Sequence, residues 1–343
     1  MPEGGTSGLR FSSDATAGIT RRKTAHGFSY RHPRRGAVKD RKLLERIRKL
    51  AIPPAYRNVW ICPDPNGHLQ ATGIDSRGRK QYRYHPKFRV AEEERKFDRM
   101  ADFGRALPGL RAQIDNDLAL PGLPKDRVVA VVVELLEKSL VRVGNERYAK
   151  ENRSFGLTTM RTRHLKLSAS HIEFDFKGKS NIEHRIEVRD RRLARIIKKL
   201  QDLPGQELFR YTDPSGKLGT VSSSDVNEYL HRYAGGDFTA KDFRTWGGSV
   251  LSAIELGIQE SPESSAAADR SIKAAMKRVS ERLGNTPKIC QKCYVHPAVI
   301  EAFREGRLQT FFQEVPESPE ELLQEAECVL AKLLKSSALV KPK

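Results

Sequence analysis

Residues 124–152, PKDRVVAVVVELLEKSLVRVGNERYAKEN, hold a run that is apolar on nearly every side. A helix without a polar face must be enclosed by other elements, so this stretch predicts a core helix with further helices packed round it. Arg142 lies at its end. Downstream, GLTTM, HLKL, HIEFDF and IEHRIEV alternate with period two and predict a small sheet. The last two strands meet at a tight turn, Lys177-Gly178-Lys179-Ser180-Asn181. Beyond Asp190 helical spacing returns in RRLARIIKKL, SSDVNEYLHRYA, TAKDFRTWGGSVLSAIEL and ESSAAADRSIKAAMKRVSERLG. HPAVIEAFREG predicts a short helix after Tyr294. Ser318 and Pro319 supply the N-cap and first position of a last amphipathic helix.

The N-terminal part reads differently. Residues 1–27 are polar and rich in Gly, Ser and Thr, which predicts a loose arm. In DRKLLERIRKLAIPP the apolar residues Leu43, Leu44, Ile47 and Leu50 fall at helical spacing, Asp40 is the N-cap, and Pro53-Pro54 stops the helix. NVWICPDPNGHLQATGID reads as a β-hairpin turning at residues 63–67, and RKQYRYH as a third strand. The first domain, 28–90, ends in the helical stretch VAEEERKFDRM, and 91–343 form the second. The fold class is α+β: a small β-sheet domain with helices, then a mainly α-helical domain carrying a small antiparallel sheet.

Charge points to the partner. The 343 residues carry a formal net charge of +19, and residues 1–90 alone hold 20 Lys/Arg against 6 Asp/Glu. QEVPESPEELLQEAE near the C-terminus is acidic, so the basic surface lies elsewhere. Aromatic residues and Gln interleave the arginines in RGRKQYRYHPKFR. A polyanion, nucleic acid above all, is the expected partner. No run of eighteen apolar residues occurs, so no membrane span is expected. The first residues lack the apolar region of a secretory signal. Four cysteines make no disulfide framework and suit a reducing cytoplasm. Cys290 and Cys293 form a CxxC, but Cys62 and Cys328 have no paired neighbour, so a four-ligand zinc knuckle is not expected. A thioredoxin-like role lacks its βαβ setting.

Arg142, Lys179, Lys241-x-x-Arg244, Asn285 and Tyr294, each bland alone, resemble in this order the active site of type IB DNA topoisomerases. The resemblance is to the compact poxvirus-type and bacterial branch. It extends through GFSYRHPR, ERIRKLAIPPAYRNVWICP, GIDSRGRKQYRYHPKFR, RVGNERYAKEN, FGLTTMRTRH, FKGKS, KDFRTWG and LGNTPKICQKCYVHP. It implies a clamp round duplex DNA, with Tyr294 as nucleophile, Arg142 and Arg244 holding the non-bridging oxygens, and Lys179 as general acid. Many members carry His where this chain has Asn285, whose amide can donate a hydrogen bond but cannot supply a proton. Gln81, Tyr82 and Tyr84 are implied DNA contacts, as are Tyr148 and Lys241. Poxvirus-type members often carry Lys where this chain has Asn145.

The residues make that chemistry reasonable. A free tyrosine ionises at about pH 10 and needs nearby cations to act as a nucleophile. Guanidinium forks match the oxygens of a five-coordinate phosphorus. Neither metal nor ATP is expected: the cations supply the charge, no carboxylate cluster or P-loop occurs, and a phosphotyrosine conserves the energy of the broken bond. No cofactor or small-molecule substrate is expected, and the chain should act as a monomer in the cytoplasm, on the nucleoid. A tyrosine recombinase, which commonly carries HxxR where this chain has Lys241-Asp242-Phe243-Arg244, and a non-catalytic DNA-binding protein stand as alternatives.

Overall fold

A computed structural model describes residues 8–340. The chain divides into two units, one running to Lys96 and the other beginning at Phe97.

The first unit is a six-stranded antiparallel sheet. Its elements are β1 (Ile19–Thr24), β2 (Gly27–His32), β3 (Gly36–Ala37), α1 (Arg41–Lys49), β4 (Arg57–Ile61), β5 (Leu69–Ile74) and β6 (Lys80–Tyr84), with strand order β3-β2-β1-β4-β5-β6. The side chain of Asp40 caps α1 by accepting from the Lys42 N–H. That helix lays Ile47 on Ile19, Val59, Ile61 and Ala71. Burying each such Val or Ile is worth roughly 1.5–3 kcal/mol.

The loose-arm expectation fails for residues 19–24, which form β1 in the middle of the sheet. Polar composition hid the pairing: Ile19 is fully buried opposite Ile61, Arg21 is half-buried with its guanidinium on the Ile52, Pro53 and Tyr56 carbonyls, and the other side chains of ITRRKT are exposed. Ahead of β1, the Ser12 N–H donates to His68 Nδ1 at 3.0 Å, and the Trp60 indole donates to the Thr16 carbonyl at 2.8 Å.

Helix α2 (Pro86–Asp98) spans the division. The second unit continues with α3 (Met100–Leu118), α4 (Lys125–Ser139), α5 (Glu146–Asn152), β7 (Leu165–Leu167), β8 (His171–Lys177), β9 (Glu183–Arg189), α6 (Arg191–Gln201), β10 (Arg210–Thr212), β11 (Leu218–Thr220), α7 (Ser223–Ala234), α8 (Ala240–Gly257), α9 (Ser265–Leu283), α10 (Pro287–Tyr294), α11 (Pro297–Arg304) and α12 (Pro319–Val340). As its composition requires, α4 is the core helix: Val128 to Val133, Leu135 and Leu136 are all 2 % exposed or less. Arg111 of α3 bridges Glu137 of α4 at 2.6 Å and Glu327 of α12 at 2.7 Å, and Glu327 accepts from the Trp246 indole of α8 at 3.0 Å. This clasp fixes α8 among its neighbours.

Two sequence expectations need correction here. The apolar helix stops at Ser139, because Leu140 turns into the left-handed region at φ 55° and its N–H closes on the Leu136 carbonyl. Arg142 therefore lies in a loop rather than on the helix. GLTTM is a 3₁₀ turn over residues 157–159 instead of a strand, since its N–H groups go to the Arg142 and Val143 carbonyls (3.0 and 2.7 Å) rather than to a neighbouring strand.

Candidate active site

One cavity of about 350 Å³ gathers all but Asn285 of the residues singled out in the second unit. Arg142, Tyr148, Lys179, Lys241, Arg244 and Tyr294 all line it. They come from four separate stretches of chain, so the question is what holds each in place.

Helix α8 supplies most of the answer. Asp242 accepts from the Thr239 N–H at 2.8 Å, closing a capping box at its start. Arg244, one turn in, is 4 % exposed. Its guanidinium donates to the Leu140 carbonyl just ahead of Arg142, and to the Leu283 carbonyl at 2.8 Å just ahead of Asn285. It therefore ties together two loops that are far apart in sequence. Its Nε is buried and has no partner among the described residues, leaving a donor for an incoming oxygen. The same group sits 4.9 Å from the Tyr294 ring centroid.

Two glycines on α8 act as seats. A Cβ at Gly247 would lie 2.5 Å from Leu140 Cδ2, and one at Gly248 would lie 2.8 Å from the Tyr294 carbonyl oxygen. Ser249 adds hydrogen bonds: its hydroxyl donates to the Tyr294 carbonyl at 3.2 Å and accepts from the His296 N–H at 2.9 Å. Tyr294 ends α10, and His296 caps α11 through Nδ1, so the Tyr294 backbone is pinned between two helices and α8. The WGGS run of the sequence is the signal for these seats, and its meaning emerges only from the packing.

The Arg142 loop is held from its other side. A Cβ at Gly156 would fall 2.6 Å from the Arg142 carbonyl oxygen and 2.6 Å from Gly144 Cα. The Arg142 guanidinium donates to Asn285 Oδ1 at 2.5 Å. Burial and the like charge of Arg244 push Arg142 below the usual guanidinium range, while Tyr294 pulls it back. Asn285 follows Gly284, the left-handed C-cap of α9, and its amide reaches the Leu283 carbonyl at 3.4 Å. With its carbonyl engaged by Arg142, the amide N–H is what Asn285 can offer an oxyanion. Lys179 is exposed in a 3₁₀ turn over Lys179–Asn181, between β8 and β9.

Asn145 has a structural task. Its side chain caps α5 by accepting from the Tyr148 N–H at 3.1 Å, which places Tyr148 at the cavity wall. Lys241 is exposed in the first turn of α8.

Cys290 is fully buried, and burial pushes its thiol up to about 11. It packs in the core as a neutral side chain, and the cysteines are free thiols. Among the described residues the group spaced like a metal site is His171, Glu173 and Glu187. Glu173 there is already held by Lys166 at 2.8 Å and Arg185 at 3.0 Å, which keep its carboxyl below the usual range.

Gln81, Tyr82 and Tyr84 belong to the first unit. Tyr82 and Tyr84 are 48 % and 40 % exposed, with rings stacked 6.2 Å apart, so neither is core. Gln81 lies on the opposite side of β6 and donates to Asp75 Oδ2 at 3.0 Å. Burial opposes ionisation of Asp75, but Arg79 outweighs it and holds the carboxyl at about 2.

The chain has relatives among known proteins. Residues 85–321 match the family described as eukaryotic DNA topoisomerase I, catalytic core, and residues 27–75 match bacterial DNA topoisomerase IB, N-terminal domain. The chain belongs to the type IB DNA topoisomerase family. It is 35 % identical to DNA topoisomerase 1B of Acanthamoeba polyphaga mimivirus over 294 residues, covering 84 % of this chain and 88 % of the relative. DNA topoisomerase I of Monkeypox virus is 25 % identical over 255 residues, 73 % of this chain and 76 % of that one. DNA topoisomerase 1 of Daucus carota is 31 % identical over 135 residues, 37 % of this chain and 15 % of that one. The recombinase alternative is not favoured by these relatives.

Proposed function

We propose that this type IB topoisomerase relaxes supercoiled DNA by breaking and rejoining one strand through Tyr294. The observation that carries this reading is the convergence of Tyr294, Arg244, Arg142 and Lys179 on one cavity. The Tyr294 oxygen attacks a backbone phosphorus, forming a P–O bond to the 3′ side and breaking the P–O5′ bond. The phenol proton leaves to solvent. Lys179 gives a proton to the departing 5′ oxygen, aided by Arg142. The unpartnered Nε–H of Arg244 and the guanidinium of Arg142 serve the non-bridging oxygens, where charge accumulates. The Asn285 amide adds a neutral donor there.

The free 5′ end then rotates under torsion. Resealing reverses the step: the 5′ hydroxyl attacks phosphorus, its proton returns to Lys179, and Tyr294 departs. Metal and ATP have no part in this cycle, because the cations neutralise the transition state and the phosphotyrosine conserves the phosphodiester's free energy. The first unit supplies DNA contacts through β6, with the Tyr82 and Tyr84 hydroxyls on phosphate or base edges and Gln81 positioned by Asp75. Both units contact the duplex. One nucleophile per break suffices, so the protein works as a monomer on cytoplasmic, nucleoid DNA; sedimentation of the active complex as a single chain per duplex tests this. The central test is relaxation of a negatively supercoiled plasmid in EDTA without ATP, with detergent trapping of covalent adduct. Relaxation and adduct are both expected, and failure to form the adduct would reject the mechanism.

A further inference from the structure

The mechanism leaves a half-buried titratable group beside the site, His184, without a role. His184 is on β9, opposite Phe176 of β8, and its ring stacks on the Phe176 ring at 5.2 Å with 15° between planes. Its free edge meets two glycines. A Cβ at Gly178 would lie 2.6 Å from His184 Cδ2 and 2.7 Å from Nε2; one at Gly284 would lie 2.1 Å from Cε1. Gly178 immediately precedes Lys179, and Gly284 immediately precedes Asn285. The imidazole thus fills the space between the hairpin that carries the lysine and the turn at the end of α9.

We propose that His184 is a positioning residue for Lys179: as a neutral imidazole braced on the Gly284 turn, it sets where the Lys179 hairpin stands. The proposal rests on the general-acid reading of Lys179.

The charges around the ring explain why it must be neutral. The small cavity it borders is lined by Arg142 from the loop after α4, Lys179 from the hairpin, Arg244 from α8 and Arg282 from α9, with no carboxylate among its lining residues. On β9 itself, Glu183 pairs with Lys177 and Arg185 with Glu173 and Glu187. Burial, then Arg142 and Arg244, push His184 below the ordinary imidazole range. The folded protein therefore binds this proton less readily than the unfolded chain. Its contribution to stability is present above the ordinary histidine value and is lost as pH falls through the lowered one. Acid puts a further positive charge beside Lys179 and displaces the hairpin.

The test is single-turnover cleavage on two substrates, one with the natural 5′ oxygen and one with sulfur in its place, which departs without needing a proton. His184→Ala should slow cleavage of the oxygen substrate by about 10- to 100-fold, as expected when a catalytic group shifts by about an ångström. The sulfur substrate should restore most of that rate. His184→Gln, which fills similar space and cannot titrate, should recover most activity at pH 7.5 and lose the acid limb of the rate profile. In a double-mutant cycle, Gly178→Ala should be rescued in part by His184→Ala, because the added methyl then has room. Lys179→Ala on the sulfur substrate is the control: no restoration there overturns the acid assignment itself. Restoration for Lys179→Ala but not for His184→Ala, or wild-type cleavage by His184→Ala, overturns the proposal for His184.

Discussion

The two units carry polar function in opposite ways. In the second, the arginine at the heart of the cavity is enclosed: Arg244 is 4 % exposed, its donors run to the Leu140 and Leu283 carbonyls, and glycines 156, 247 and 248 leave room only for the Arg142 loop, the Leu140 side chain and the Tyr294 backbone. In the first, Tyr82 and Tyr84 stand out from the sheet and stack on each other. Chemistry at phosphorus requires donors fixed before the substrate arrives, because reorganisation would add to the barrier. A grip on DNA tolerates looser groups, since many phosphate contacts share the work.

If that contrast holds, changes in the second unit should abolish turnover with little effect on DNA binding, and changes in the first should do the reverse. Tyr294→Phe should eliminate relaxation and adduct while a filter-binding isotherm stays unchanged. Arg244→Ala should lower the cleavage rate by roughly 10²–10³-fold, measured in single turnover, since it removes an oxyanion donor. Gly156→Ala should destabilise the second unit by about 1–3 kcal/mol in a denaturant melt, because its Cβ meets the Arg142 loop backbone. Tyr84→Phe removes one hydroxyl and should weaken DNA binding by about fivefold, the worth of one hydrogen bond, with cleavage of bound DNA unchanged. Lys241 is the exception in the second unit, an exposed charge rather than an enclosed donor: Lys241→Ala should reduce the log–log salt slope of binding by about 0.9. A Tyr84 variant that binds normally but cleaves slowly would break the contrast.

Much of this was legible in the sequence, and for physical reasons. The apolar face of α4 could be nowhere but the core. The order of Arg142, Lys179, Arg244, Asn285 and Tyr294 resembled a known site because transesterification at phosphorus needs those charges round a phenol. Asp40, Ser318 and His296-Pro297 announced helix starts through local chemistry. What stayed hidden depends on contacts distant in sequence. The end of α4 at Leu140 lacks a glycine signal, since the left-handed turn is enforced by packing against Gly247 and by Arg244. β1 was masked by its polar composition, as Ile19 alone of its side chains is fully buried. α10 lies in LGNTPKICQKCYVHP, where the CxxC drew attention from Thr286 as N-cap and Pro287 at the first turn. The bracing of His184 between Gly178 and Gly284 has no local signature at all.

The most direct test is to trap the covalent complex on plasmid DNA, digest both components, and identify the nucleotide-bearing peptide by mass spectrometry. The account predicts a single modified residue, Tyr294, joined to the 3′ phosphate, in the peptide that follows Lys292. A nucleotide on Tyr148 or any other side chain, or linkage to the 5′ phosphate, would contradict it.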